Sequence, residues 1–239
     1  MDTKTAKANI TSLKNKKLLC NGINLLARLD SDSVRVAFFD PQYRGVLDKL
    51  SYGNEGVSRG SERCNLPQMS EEIIAEFLAG IHRVLAPNGY LFLWIDKFHL
   101  LEGVKEWFAP YHDLYIVDMI TWDKLKIGMG YRTRRRSEYL IIIQKHPKLA
   151  KATWRLHNIP DVWTERIIDK NHTHTKPHGL QKRLLEATTY KGDLVLDPAS
   201  GSFSVFAVCR ELGRDFIGCD LVYGEVCLPE TLDSKRDIQ

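Results

Sequence analysis

An acidic residue and a proline end an apolar segment early in the chain. Residues 34–39 read VRVAFF, and Asp40, Pro41, Gln42 and Tyr43 follow directly. The amino group of a nucleic-acid base is a weak nucleophile, because its lone pair is delocalised into the ring. A carboxylate and a fixed backbone carbonyl can accept its hydrogens, and an aromatic ring can stack on the base for about 1–3 kcal/mol. Asp40, the Pro41 carbonyl and Tyr43 therefore form a candidate catalytic group for chemistry on a base amino group.

A second candidate group follows another apolar segment, 193–197, near the carboxyl end of the chain. Small residues before a helix let a ligand approach the backbone N–H groups at the helix N-terminus. Asp220 ends the segment 215–220 and lies 23 residues after Asp197. This distance is close to the spacing of about 20 residues at which an acidic residue binds ribose hydroxyls in nucleotide sites. The turn and Asp220 together predict an adenosyl pocket, although Phe203 stands where a GxG pattern has its second glycine. The residues of this turn are Asp197, Pro198, Ala199, Ser200, Gly201 and Ser202.

Apolar segments and helical patterns alternate along the chain, and these elements must position the two groups. Alternation of this kind predicts an α/β fold with a sheet buried on both faces. The apolar periodicity predicts helices, the first of them ended by Pro87-Asn88-Gly89. The predicted strands are 34–39, 90–95, 114–122, 138–144, 193–197 and a shorter one at 215–220, and the predicted helices are 70–85, 179–189 and 203–212.

Two segments lack the pattern of a core. Residues 44–69 are rich in Gly, Ser, Arg and Asn and are long for a plain connection. Residues 124–136 read KLKIGMGYRTRRR, with no acid among the cations, and this pattern favours a polyanionic partner more than the net charge of +4 does. The candidate phosphate-binding residues are Lys124, Lys126, Arg132, Arg134, Arg135 and Arg136.

Composition sets broad limits on the class of protein. The 239 residues are 44% hydrophobic and 27% charged, enough for one large α/β domain. The sequence contains no apolar run of about 18 residues and no secretory signal pattern, so we expect no membrane association. Five cysteines without a CxxC pair indicate reduced thiols in the cytoplasm. His172, His174 and His178 lack an acid or cysteine to complete a cluster, so we expect no metal.

In their order, these motifs resemble the β-class amino-group DNA methyltransferases, in which the catalytic motif precedes the cofactor motif. Three segments carry the resemblance: LLCNGINLLARLDSDSVRVAFFDPQY (18–43), TWDKLKIGMGYRTRRRSEYLIIIQK (121–145) and HTHTKPHGLQKRLLEATTYKGDLVLDPASGSFSVFAVCRELGRDFIGCD (172–220). The chain departs from the family pattern at four positions. Gln42 replaces the second proline of Asp-Pro-Pro-Tyr, Asn21 replaces an aspartate, Ala199 a phenylalanine, and Phe203 the last glycine of Gly-Ser-Gly.

The resemblance implies a single-domain, class I (Rossmann-like) S-adenosylmethionine-dependent methyltransferase. Its sheet would be mixed and mostly parallel with seven strands, and its motif order circularly permuted. The domain would span 18–221, between a basic N-terminal tail (1–17) and a C-terminal tail (222–239). Asn21, Phe39, Asp40 and Lys176 would join the turn 197–202 and Asp220 in binding S-adenosylmethionine, while Asp40, Pro41, Gln42 and Tyr43 form the catalytic motif.

The implied reaction is direct methyl transfer to the N-6 amino group of an adenine flipped out of double-stranded DNA. The enzyme would be nucleoid-associated when on DNA, and the resemblance is compatible with a homodimer. The loops 44–69 and 124–136 would contact DNA, and the short recognition segment 145–175 indicates a short or relaxed target. Three alternatives stay open: a cytosine N-4 methyltransferase, which in this family often has Ser in place of Asp40; an RNA adenine methyltransferase, whose usual Trp is absent at Tyr43; and a catalytically inactive nucleic-acid-binding homologue.

Overall fold

A computed structural model describes residues 10–41, 69–128, 132–167 and 175–228. Its strands are β1 Lys17–Leu19, β2 Val34–Phe39, β3 Leu85–Ile95, β4 Leu114–Asp123, β5 Ser137–Lys145, β6 Val162–Thr164, β7 Leu194–Asp197, β8 Asp215–Asp220 and β9 Val226–Cys227. Its helices are α1 Ile10–Leu13, α2 Gly22–Arg28, α3 Glu71–Val84, α4 Lys97–Glu102, α5 Lys105–Phe108, α6 Ala150–Thr153, α7 His178–Thr188 and α8 Ser204–Leu212.

The strands form one sheet in the order β6-β4-β5-β3-β2-β7-β8-β1-β9. Neighbouring strands are parallel except where β5 pairs antiparallel with β3 and with β4. The predicted α/β fold with a mixed, mostly parallel sheet is confirmed. The described residues form nine strands, where the resemblance implied seven and the apolar runs predicted six. All six are present, and the other three, β1, β6 and β9, are pairings of two or three residues that are too short to leave a hydrophobic pattern.

Helical layers cover both faces of the sheet, as the apolar strands predicted. On one face the Phe39 ring stacks on Phe77 of α3, with the ring centroids 5.1 Å apart. On the other face Phe38 meets Phe92 of β3 at 5.0 Å, within a layer that includes residues of α7 and α8. Successive residues of β2 therefore face opposite layers, and the strand ends buried between them.

The connection from α3 into β3 differs from its predicted form. Ser70 caps α3, with its side chain accepting a hydrogen bond from the Ile73 N–H, and the helix ends at Val84. β3 begins at once, because Leu85 pairs with Val34 before a shift in register. The predicted turn 87–89 therefore lies inside a bulged strand, in which Asn88 takes a left-handed conformation.

Both predicted tails contribute to the fold. Leu13 of α1 is buried, and the Asn15 N–H donates to the carbonyl of Phe216 in β8. β9 pairs in parallel with β1, so residues 226–227 extend the sheet. Within the described ranges, the helices are all too short or too polar to cross a membrane. The predicted loop 44–69 lies outside the described residues, apart from Met69.

Candidate active site

Three aspartates end neighbouring parallel strands at one edge of the sheet. β2 pairs with β7, and β7 with β8, so their carboxyl ends lie side by side. Asp40 follows β2, Asp197 is the last residue of β7 and Asp220 is the last residue of β8. Asp40 and Asp220 both act electrostatically on the Asp197 carboxyl. The catalytic and cofactor groups predicted from distant parts of the chain therefore meet, as expected for a ligand site of a parallel sheet.

Asp197 is the most buried of these carboxyls, with only 6% of the residue exposed. Burial raises the pKa of Asp197 to about 8, and the negative charges of Asp40 and Asp220 act in the same direction. The Ala199 N–H, which donates to the carboxyl, and the Lys176 ammonium oppose the increase in pKa. Asp197 is consequently protonated in most molecules near neutral pH.

The turn after β7 is fixed by two hydrogen bonds of Ser200, and the space beside Gly201 is unoccupied by atoms of the described residues. The Ser200 hydroxyl donates to the Asp197 carbonyl at 2.6 Å, and the Ser200 N–H donates to the Cys219 carbonyl at 2.9 Å. Gly201 has a φ of +48°, and a Cβ placed there would meet no atom within 4 Å. This open backbone fits the predicted approach of a ligand to the turn.

The Asp220 carboxylate is oriented by backbone donors. Its Oδ2 accepts from the Gly201 N–H at 3.2 Å, and its Oδ1 accepts from the N–H groups of Val222 and Tyr223 at 2.8 and 2.9 Å. A carboxylate has lone pairs for several donors, so these bonds leave it able to accept from ribose hydroxyls as well. Asp220 and the open turn therefore fit the adenosyl group of S-adenosylmethionine, and the acidic edge fits its positive charge.

Phe203, which stands where the family pattern has a glycine, takes a backbone conformation that favours glycine. Its φ of 57° and ψ of 36° are left-handed, a conformation that is unfavourable by about 1–2 kcal/mol for a residue with a side chain. The side chain is buried and contacts the Phe216 ring at 6.3 Å between centroids. Its position in the core shows how the turn accommodates an aromatic residue directly before α8.

The β1–α2 turn lies directly against the turn 197–202. The Asn21 side chain accepts from the Ile23 N–H at 2.9 Å and thereby caps α2, a role that asparagine and aspartate perform equally well. A Cβ at Gly22 would lie 2.2 Å from the Pro198 carbonyl oxygen, so only glycine permits this approach. Ala199 is partly buried against the layer that contains Phe39. The predicted cofactor contacts of Asn21 and Phe39 stay predictions.

A buried chain of charges leads away from Asp40. Lys176 Nζ lies 2.9 Å from Asp40 Oδ2 and 2.9 Å from Glu138 Oε2. Lys124 Nζ lies 2.9 Å from the other oxygen of Glu138, and the Lys176 ammonium stands 4.9 Å from the ring centroid of Trp94. The predicted contact of Lys176 with the cofactor stays a prediction, because the described neighbours of its ammonium are these protein groups.

The lysines dominate the ionisation of Glu138. Burial by itself would raise the pKa of the Glu138 carboxyl, but the charges of Lys176 and Lys124 outweigh burial and lower the pKa to about 2. Burial would likewise lower the pKa of Lys176, but Asp40 and Glu138 raise it above its usual value. Glu138 and Lys176 are therefore both charged across the neutral range.

The basic residues of 124–136 differ in their partners and in their exposure. Lys124 is paired with Glu138, and Arg136 forms a two-bond pair with Asp123 at 2.6 and 2.7 Å. The Arg135 guanidinium lies over the Phe98 ring at 5.3 Å from its centroid. Backbone bonds from Lys124 to Arg136 and from Gly128 to Arg135 hold the described parts of the run together. The exposed cations are Lys126, Arg132, Arg134 and Arg136, and their contact with phosphate stays a prediction.

Two of the predicted catalytic residues, Gln42 and Tyr43, lie outside the described residues, whereas Pro41 is described and buried. Sequence reasoning assigned no role to Glu138 or Trp94, which surround Lys176. A signal for Glu138 was present, because it is the first acid after a long run of cations and it begins the predicted strand 138–144.

A model of the DNA methylase family matches residues 34–225. The Type II methyltransferase M.HhaII of Haemophilus parahaemolyticus is 63% identical over 214 residues, which cover 90% of this chain and 94% of that protein. The S-adenosylmethionine complex of M1.HpyAVI superposes with a TM-score of 0.57 at 19% identity, covering 85% of this chain and 92% of that one. The cytosine-N4-specific PvuII DNA methyltransferase has a TM-score of 0.60 at 13% identity, covering 85% and 81%.

The two solved structures establish the class I methyltransferase fold that the sequence predicted, and one of them holds S-adenosylmethionine. The family match includes both predicted groups of the site, from β2 through Asp220. The chain therefore belongs to the N6/N4 family of DNA methylases.

Proposed function

We propose that this protein transfers a methyl group from S-adenosylmethionine to the N-6 amino group of adenine in double-stranded DNA. The observation that carries the proposal is the convergence of Asp40 with Asp197, the open turn and Asp220 at one edge of the sheet. Membership in the DNA methylase family and the 63% identity to a Type II methyltransferase support DNA as the substrate and the cytoplasm as the location.

The cofactor group would be held by the turn 197–202 and by Asp220, with the Asn21 turn packed behind it. Bound there, S-adenosylmethionine supplies a methyl group that its sulfonium has already activated. The Asp220 carboxylate would accept hydrogen bonds from the ribose hydroxyls. The open backbone at Gly201 would leave room for the ligand against the start of α8.

The target base would have to leave the DNA stack, at a cost of a few kcal/mol. The Asp40 carboxylate and the Pro41 carbonyl would accept hydrogen bonds from the amino group of the base. These hydrogen bonds return electron density to the amino nitrogen and orient it for attack on the methyl carbon. Tyr43 would stack on the flipped ring. The amino proton leaves after transfer, and a carboxylate at hydrogen-bond distance is the natural group to receive or relay it.

Asp40 favours adenine over cytosine by the family resemblance, because N-4 cytosine enzymes often carry serine there. The PvuII enzyme shares this fold and is cytosine-N4-specific, so cytosine is the second candidate acceptor. The fold is common to both reactions, and the identity of the methylated nucleoside distinguishes them.

Incubation of the protein with labelled S-adenosylmethionine and unmodified DNA, followed by mass spectrometry of the nucleosides, tests the proposal. We expect N6-methyladenine in duplex DNA and none in RNA. Asp40→Ala should abolish transfer while cofactor binding, measured by calorimetry, persists. Asp118→Ala, at an exposed carboxylate on β4, is the matched control and should transfer normally. N4-methylcytosine as the product would contradict the choice of base, and near-normal transfer by Asp40→Ala would contradict the site.

A further inference from the structure

We propose that Lys176 is a positioning residue for the Asp40 carboxylate, and that Glu138 is the counter-charge that holds Lys176 in place. The inference rests on the proposed role of Asp40 in methyl transfer. Its basis is a chain of four alternating charges, Lys124, Glu138, Lys176 and Asp40, in which every adjacent pair lies 2.9 Å apart.

The Lys176 side chain is fixed on several sides. It is 13% exposed, has a carboxylate oxygen on each of two sides and stands over the Trp94 ring. Trp94 is buried and packs edge-on against Trp122, so the aromatic surface is itself rigid. A lysine ordinarily has several rotatable bonds in solvent, whereas this one is held where its ammonium meets Asp40.

Such a contact determines where the Asp40 oxygens point. Lys176 Nζ holds Oδ2, which restricts the orientation of the carboxylate relative to the end of β2. The base nitrogen must meet that carboxylate and the methyl carbon simultaneously, and a misplacement of about 1 Å can slow a reaction about 100-fold. Lys176 thus acts on the reaction through Asp40, without touching the base.

Lys176 also affects the ionisation of Asp40, because of the charges that surround the Asp40 carboxyl. Among the described residues, the acidic groups near Asp40 are Glu138 on β5, Asp197 at the end of β7, which is mostly protonated near neutral pH, and, beyond it, Asp220 on β8. Lys176, from the segment before α7, is the cation in contact with Asp40, and Lys124 after β4 is one carboxylate further away. Loss of the Lys176 charge would remove this favourable contact, which shifts Asp40 toward its protonated form, and a protonated carboxyl is a poorer acceptor for the base.

The test compares Lys176→Met, Lys176→Arg and the double variant Lys176→Met/Glu138→Gln, which removes one cation and one anion together. Lys182→Met is the matched control, because Lys182 also pairs with a carboxylate, Glu211, but on the exposed surface of α7. Single-turnover methyl transfer is measured from about pH 5.5 to 9 at saturating DNA and cofactor. Calorimetry gives the dissociation constant of S-adenosylmethionine, and thermal unfolding shows whether each variant is folded.

We expect Lys176→Met to slow transfer about 10–100-fold at neutral pH and to move the acidic limb of the rate profile upward by about 1–3 pH units. Cofactor affinity should change by less than about twofold, which marks an effect on the reaction rather than on uniform binding. Lys176→Arg should restore the acidic limb. The double variant should unfold near the wild-type temperature and still be slow, so the result does not depend on the stability of the single variant.

Two results overturn the inference. Weaker cofactor binding with an unmoved acidic limb would assign Lys176 to the cofactor, and wild-type rates in the double variant would make the contact with Asp40 merely structural. Failure of the proposed function looks different: Asp40→Ala would then retain activity, whatever the behaviour of Lys176.

Discussion

Replacement of Asp197 by asparagine should stabilise the cofactor-free protein at neutral pH. Asp197 lies at the end of a buried strand, and burial together with Asp40 and Asp220 raises its pKa to about 8 from a usual value of 3.8. Between these two values the unfolded chain releases a proton that the folded protein retains. The free energy of unfolding therefore falls as the pH rises through this window, by about 1.4 kcal/mol per pH unit.

The size of this loss of unfolding free energy follows from the pH range between the two pKa values of Asp197. From pH 5 to pH 7 the wild-type protein should lose about 3 kcal/mol of unfolding free energy through Asp197. Asparagine has no proton to release, and its carbonyl oxygen can still accept the hydrogen bond from Ala199. Other titrating groups are common to both proteins, so the difference between their pH profiles isolates Asp197. Glu138, with its pKa of about 2, contributes its own change only below about pH 4.5 and does not enter this window.

Urea unfolding of the wild-type protein and of Asp197→Asn at pH 5, 6, 7 and 8, without cofactor, measures the effect. The advantage of the variant should grow with pH and level off above about pH 8. Asp118→Asn, at an exposed carboxyl, is the control and should follow the wild-type profile. Parallel profiles for wild type and Asp197→Asn would refute the reasoning, because they would show that Asp197 ionises in the folded protein as easily as in the unfolded chain.

Two further expectations concern the ligands. Asp220→Ala should weaken S-adenosylmethionine binding by about 1–3 kcal/mol, because charge-assisted hydrogen bonds to the ribose are lost. An unchanged dissociation constant would show that the adenosyl pocket lies elsewhere. Replacement of Arg134, Arg135 and Arg136 by alanine should weaken DNA binding on all sequences alike and reduce the slope of log affinity against log salt by up to about 0.9 per lost phosphate contact. A slope that does not move would mean that these arginines serve local pairs, such as that of Arg136 with Asp123.

Much of the sheet could be predicted from the sequence, because its central strands are buried on both faces. β2 and β8 have the predicted bounds, since each is a short apolar run between polar residues. The start of β3 could not be predicted in the same way. Leu85 has the pattern of a helix C-terminus, and its pairing with Val34 depends on a bulge that only the neighbouring strand reveals.

The meeting of Asp40, Asp197 and Asp220 was also predictable, because carboxyl ends of parallel strands share an edge of the sheet. The partner of Lys176 was not. Glu138 lies 38 residues away along the chain, and the choice between a cofactor carboxylate and a protein carboxylate depends on packing around Trp94. The pairing of Lys124 with Glu138 could not be predicted either. A run of cations predicts a polyanionic partner, but it does not show that the first cation of the run is already paired inside the protein.

The acidic edge of the sheet opposes stability in a way that its proposed ligand would relieve. Asp197 remains protonated because Asp40, Asp220 and a dry environment disfavour another negative charge, and Lys176 offsets only part of this effect. A ligand with a positively charged sulfonium and amino group supplies the missing cations at the same edge. An apolar residue at 197 would remove the buried polar group from the free protein and would also remove a carboxyl that such a ligand would help to ionise. A buried carboxyl that is protonated in the free protein fits the proposed binding site for a cationic methyl donor, because functional sites often retain groups that reduce stability.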